Sequence, residues 1–144
     1  MKLNKALGLD IGSVNTGIAI SDSTKTIAFP FKTIKTTKLK EEIEKIIKEE
    51  SVDIIVIGEN LYQNKNFNVR EIAKNKLGEI NTEITYVNED FSTEKAKELF
   101  KTLNKKNKPN FQEVKDELAA KIILDTYLNE MVAGVGIEPT TSGL

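Results

Sequence analysis

From Lys5 to Ile11 the chain alternates, with Leu7, Leu9 and Ile11 separated by Gly8 and Asp10, the period-two pattern of a β-strand. Gly12 and Gly17 bracket a short turn, SVNT, and Ile18, Ala19 and Ile20 then resume the apolar run. Thr16 to Ser21 therefore reads as a second strand folded back on the first. Thr26 to Phe31 (TIAFPF) reads as a third, and Pro30, with no N–H to donate, places it at a sheet edge. Strands so closely linked make an antiparallel meander.

The period then lengthens. Leu39, Ile43, Ile46 and Ile47 form one stripe, which predicts a helix over Thr37 to Glu50. Asp53 to Ile57 (DIIVI) is a continuous apolar run, as in a parallel strand covered on both faces, and it ends at Gly58-Glu59-Asn60. After a polar loop, Leu61 to Asn68, a helix is predicted over Val69 to Ile80 and a strand over Glu83 to Asn88. Ser92 is a fitting N-cap for a helix that carries Ala96, Leu99, Phe100 and Leu103 on one side. A basic loop, Lys101 to Gln112, leads to a last helix over Glu113 to Met131. The periodicity stops at Ala133, so residues 133–144 read as a disordered tail behind one domain of residues 1–132. The predicted fold is α/β: a mixed five-stranded sheet, three antiparallel strands and then two parallel ones, with helices on both faces. In such sheets ligands gather beyond the carboxyl ends of the strands.

Composition narrows the chemistry. At 144 residues, with 39% hydrophobic and 30% charged residues, the chain is large enough for one well-formed core. A net charge of −1 means that any nucleic-acid contact must come from a local basic patch. With no cysteine and no histidine, thiolate catalysis, a Ser-His-Asp triad and a histidine-ligated zinc are excluded. What remains is carboxylates, lysines, hydroxyls, or a metal held by oxygen. No stretch has the roughly 18 apolar residues of a membrane span. The start, MKLNKALGLD, lacks a signal-peptide core. A cytoplasmic protein without a membrane partner is expected.

The acids stand out on this frame. Asp10 lies near the end of an apolar strand, where an unpartnered charge costs several kcal/mol, and Gly8 clears space on the same face for a ligand or another backbone. Glu59 follows the fourth strand, and Glu89 and Asp90 follow the fifth. Asp116 is aligned with Ala120, Ile123 and Tyr127, so it points along the buried face of the last helix. Acids from four segments are expected to converge, and their repulsion calls for cations. Mg²⁺ or Mn²⁺ fits, because hard cations take oxygen ligands and keep waters for substrate phosphates. Each acid also has a plainer role: Asp116 and Glu117 favour a helix N-terminus, and Glu89 and Asp90 suit a solvated turn. Lys101, Lys105, Lys106 and Lys108 precede Asp116 and are placed to hold a phosphate backbone beside the acids, or simply to be solvated surface.

GLDIGSVNTGIAISD resembles the opening of the YqgF/RuvX family, NEDFST at Asn88 to Thr93 resembles its second motif, and DELAAKIILDTYL at Asp116 to Leu128 resembles its third. The resemblance runs from residue 5 to residue 130. It implies a ribonuclease H-like fold and a cytoplasmic metal-dependent nuclease that processes the 5′ end of the 16S ribosomal RNA precursor, with a pre-ribosomal particle as a further partner. It also implies a metal-binding acidic triad, which falls on Asp10, Glu89 and Asp116. The same family has been discussed as Holliday-junction resolvase-like. In crossover-junction resolvases a glutamate closes the fourth strand, as Glu59 would here, and whether Glu59 or Asp90 joins the site stays open. Asn15, Asn88 and Asp90 depart from the family pattern, which leaves a non-catalytic RNA- or ribosome-binding module as an alternative. DIGSVNTG also resembles the first phosphate loop of sugar-kinase- and actin-like ATPases, whose second large domain this chain has no room for.

Overall fold

The structure, a computed structural model, describes residues 4–59, 68–88, 98, 100–102 and 111–133. Strands β1 (Lys5–Ile11), β2 (Asn15–Ser21), β3 (Ala28–Lys35), β4 (Val52–Glu59) and β5 (Glu83–Asn88) form one sheet in the order β3-β2-β1-β4-β5. β1 pairs antiparallel with β2, and β2 with β3; β1 pairs parallel with β4, and β4 with β5. The mixed five-stranded sheet is as expected, and β3, with Pro30, is an edge strand. A 3₁₀ turn, Thr36–Lys38, leads into α1 (Leu39–Glu50), and α2 (Val69–Leu77) and α3 (Phe111–Ala133) follow.

The two faces of the sheet are built differently. Leu7, Leu9, Ile18, Ile20, Ile55 and Ile57 face Leu39, Ile43 and Ile46 of α1 and Ala73 and Leu77 of α2, large side chains against large ones. The opposite face presents Ala6 and Ala19, with Ile54 and Val56 of β4, to Ala120, Ile123, Leu124, Tyr127 and Leu128 of α3. On β1 and β2 that face is lined by small residues, so α3 lies close to it. A Cβ added to Gly8 would stand 2.8 Å from the Leu124 Cβ and 2.9 Å from the Ala120 carbonyl oxygen. Gly8 thus makes room for another backbone, one of its two expected roles.

Several boundaries differ from the sequence pattern for local reasons. β3 begins and ends later than predicted. The Asp22 carboxylate accepts the N–H groups of Thr26 and Ile27, both at 2.8 Å, and the Thr24 hydroxyl, which holds residues 22–27 in a turn. Beyond Phe31 the strand continues through the buried Ile34, past a register shift opposite Ile18 and Ala19. α2 stops at Leu77 rather than Ile80, because the chain turns at Gly78 and the Ile80 N–H bonds back to the Leu77 carbonyl at 3.0 Å. β4 runs on to Glu59 through pairing of Gly58 with Val87 and Glu59 with Asn88. Glu98, Phe100 and Lys101 are helical, so the first residue of the expected basic loop belongs to a helix; residues 103–110 lie outside the described residues. α3 starts at Phe111, two residues early, and runs through Ala133, so the first residue of the expected tail belongs to the helix; residues 134–144 lie outside the described residues.

Asp22 carries a pH dependence. The Ile27 amide, the Thr24 hydroxyl and the Thr26 amide hold its carboxyl far below the ordinary carboxylate range. A folded-state pKa below the unfolded one stabilises the fold above the ordinary value, and that contribution is lost as pH falls toward the folded pKa. The wild-type melting temperature should therefore fall more steeply below about pH 4 than that of Asp22→Ala, which should be the less stable of the two at neutral pH. Parallel melting curves across that range would exclude this role for Asp22.

Candidate acidic site at the carboxyl edge of the sheet

β1 ends in a turn that the buried polar residues tie down. The Gly12 N–H donates to the Asn15 carbonyl at 2.9 Å, and the Thr36 N–H donates to the Val14 carbonyl at 2.8 Å. The Thr36 hydroxyl donates to the Gly12 carbonyl at 2.7 Å and lies 2.8 Å from the Thr16 hydroxyl. This fixes the strand end that carries Asp10.

Asp10 is half-buried and shares the α3 face with Gly8, two residues away. Directly across the β1–β2 ladder its partner is Gly17, and such cross-strand partners project to the same face. A Cβ on Gly17 would lie 1.9 Å from the Asp116 carbonyl oxygen and 2.9 Å from the Asp116 Cβ. The second turn of α3 therefore rests on the spot that a side chain opposite Asp10 would fill, and Asp116 is brought beside Asp10. The Asp116 side chain is 25% exposed, and Lys115 Nζ donates to its Oδ1 at 3.3 Å. One row further, Thr33 of β3 pairs with Gly17 and its hydroxyl donates to Glu117 Oε2 at 3.3 Å. Burial pushes the Glu117 carboxyl above its ordinary value; the Thr33 hydroxyl pulls it down and the charge of Asp116 pushes it up.

Glu59 ends β4 at the same edge but on the other face: it follows Ile55 and Ile57, which pack under α1 and α2. Arg70, in the first turn of α2, holds it with two hydrogen bonds. Convergence of Glu59 with Asp10 is thus corrected by strand alternation. Glu89, Asp90, Lys105, Lys106 and Lys108 lie outside the described residues. Lys101 is exposed. Among the described residues no three acidic side chains gather closely enough to hold a metal ion between them. Sequence reasoning weighed Glu117 only as a helix-dipole residue and passed over Thr33. The pairing of β3 with β2 joins these two, and no pattern along the chain reports it.

Residues 4–130 match the family described as "RuvX: Holliday junction resolvase". The chain is 37% identical over 135 residues to a Fusobacterium nucleatum protein named "Putative pre-16S rRNA nuclease", covering 88% of this chain and 98% of that one. Proteins of the same name from Mycoplasma mobile and Bacteroides fragilis are 33% and 34% identical, over 87% and 88% of this chain and 92% and 96% of theirs. In fold the chain is similar to the fowlpox virus resolvase in complex with Holliday junction DNA (TM-score 0.59, 14% identity, 89% of this chain and 99% of that one). It is also similar to Thermus thermophilus RuvC bound to a junction substrate (TM-score 0.58, 12% identity, 90% and 96%). The ribonuclease H-like architecture expected from the sequence is the one observed.

The approach of α3 to the sheet is testable at its two glycines. Gly17→Ala should lower stability by about 3 kcal/mol or more and Gly8→Ala by about 1–3 kcal/mol. The first would set a Cβ 1.9 Å from a carbonyl oxygen of α3, whereas the contacts in the second are 2.8 and 2.9 Å. Urea unfolding of both variants measures this, and a Gly17→Ala protein as stable as the wild type would contradict the contact.

Proposed function

We propose a function on this premise: the chain belongs to the RuvX family, described as Holliday junction resolvase. It is a metal-dependent nuclease of the cytoplasm that hydrolyses phosphodiester bonds at the 5′ end of the 16S ribosomal RNA precursor during ribosome biogenesis. The names of the curated relatives support the substrate. The observation that carries the chemistry is the close contact of Asp116 with Gly17 directly opposite Asp10.

The donors present suit a hard divalent cation. Both are carboxylates, and the chain has no histidine or cysteine to favour a softer metal. Two carboxylates are enough for Mg²⁺ or Mn²⁺, which keep several waters and are completed by substrate phosphate oxygens. Asp10 and Asp116 would hold the ion, with Glu89 as the third ligand of the proposed triad. When bound, such an ion would acidify an attacking water and offset charge on the scissile phosphate. The protein's own part is to set geometry. β1 fixes Asp10 in the ladder, Gly17 lets Asp116 stand against it, and the Thr33 hydroxyl orients Glu117 alongside. Lys101, Lys105, Lys106 and Lys108 are proposed to bind the phosphate backbone leading to the site. A second reading, cleavage of branched DNA, is favoured by the family description and by the likeness to resolvases.

Cleavage of a structured RNA carrying the 5′ leader and of a four-way DNA junction, each in Mg²⁺, Mn²⁺ and EDTA, separates the readings. The expected result is RNA cleavage with either metal and none in EDTA. Faster cleavage of the junction favours the second reading, and RNA binding without cleavage in any metal favours a non-catalytic module. Asp10→Asn and Asp116→Asn should each cut the rate by about a hundredfold or more, since even outer-shell partners of a metal are worth 10–100-fold. Both should keep the wild-type circular dichroism spectrum. Full activity in either variant would reject that ligand assignment.

A further inference from the structure

The chain has a single arginine, Arg70, against twenty lysines. Its Nε donates to Glu59 Oε2 and its Nη2 to Glu59 Oε1, both at 2.8 Å. Its guanidinium lies 4.3 Å from the centroid of the Tyr86 ring on β5. The Glu59 side chain is only 14% exposed, while that of Arg70 is 60% exposed. A fork on one edge and a ring under one face hold a planar guanidinium in place. A bidentate fork of this kind adds geometric specificity as well as energy.

The chemistry of the group suggests another role. A guanidinium has two edges that each match two oxygens. Glu59 takes the Nε–Nη2 edge, and among the described residues nothing is bonded to Nη1. The second edge is therefore held in place on an exposed side chain. Its location matters as much. Leu9 of β1 stands beside Ile57 of β4, the last pair of that ladder, and Asp10 and Glu59 follow it by one and two residues. Neighbouring strands are about 4.8 Å apart. The acidic pair thus lies on one side of the carboxyl edge of the sheet and the fixed guanidinium on the other. A polyanion drawn across this edge meets both.

We propose that Arg70 binds a backbone phosphate of the nucleic acid next to the one that is cut, with Glu59 and Tyr86 as positioning residues that hold its guanidinium flat. This rests on the nuclease reading. It gives Glu59 a part in substrate binding rather than in metal coordination.

The test is binding in EDTA, where no cleavage occurs, of a fluorescent RNA hairpin and a four-way DNA junction, by anisotropy across a range of salt. Arg70→Gln should weaken binding by about tenfold and reduce the slope of log affinity against log salt by about 0.7–0.9, the share of one phosphate contact. Arg70→Lys should keep the slope and recover only part of the affinity, because a point charge cannot fork to Glu59 or lie on the ring. Tyr86→Leu, which changes no charge, should weaken binding at unchanged slope. In Mg²⁺, Arg70→Gln should raise KM and leave kcat near the wild-type value. Wild-type affinity and slope in Arg70→Gln would overturn this proposal while leaving the nuclease reading intact. Failure of the wild-type chain to bind either nucleic acid would overturn both. Unchanged affinity in Tyr86→Leu would remove the ring from the arrangement, and if Arg70→Gln fails to fold, full affinity in Arg70→Lys would overturn the bidentate contact.

Discussion

Helix α3 reaches the sheet only because β1 and β2 carry almost nothing on the face beneath it. Ala6, Gly8, Gly17 and Ala19 line that face, and backbone atoms of Ala120 and Asp116 occupy space that larger side chains would take. Interiors are close-packed, so a single added methyl at such a contact is felt. The same constraint that seats the helix also makes the site, because the residue opposite Gly17 is Asp10 and the residue resting on Gly17 is Asp116. The contact that packs the helix is thus the one that places the candidate acids, and neither glycine is idle.

The opposite face follows another rule. There, branched side chains of β1, β2 and β4 meet α1 and α2 at ordinary depth, with no glycine between them. That face carries stability, and its contribution to the edge is the Glu59–Arg70–Tyr86 group. Charge is therefore sorted by face: carboxylates under α3, and a guanidinium neutralised on one edge under α2. The N-terminal parts of α2 and α3 both lie at this edge, which adds the partial positive charge of helix termini to a place where phosphate is expected. A chain with a net charge of −1 can in this way present a local surface suited to a polyanion.

The turn between β1 and β2 shows how little polar material is needed to hold such an edge. Thr16 and Thr36 are buried, and their hydroxyls are satisfied by each other and by the Gly12 carbonyl. Buried hydroxyls without partners would cost about 1–3 kcal/mol each. Here they tie the end of β1 to the 3₁₀ turn before α1, so the position of Asp10 is set from both directions along the chain.

Much of this was legible along the chain, because period and punctuation are local. Alternation placed β1, β2 and Asp10, Pro30 placed β3 at an edge, and a helical stripe put Asp116 on the buried side of α3. The three motifs and their order carried the family. What alternation reports, however, is the face of a residue relative to its own strand. It does not say which helix covers that face or which residue stands across the ladder. Those depend on register and on contacts between distant segments. The placing of Asp116 against Gly17 across from Asp10, the turning of Glu59 to the other face, and the amides that Asp22 withdraws from β3 were therefore decided only by the tertiary structure.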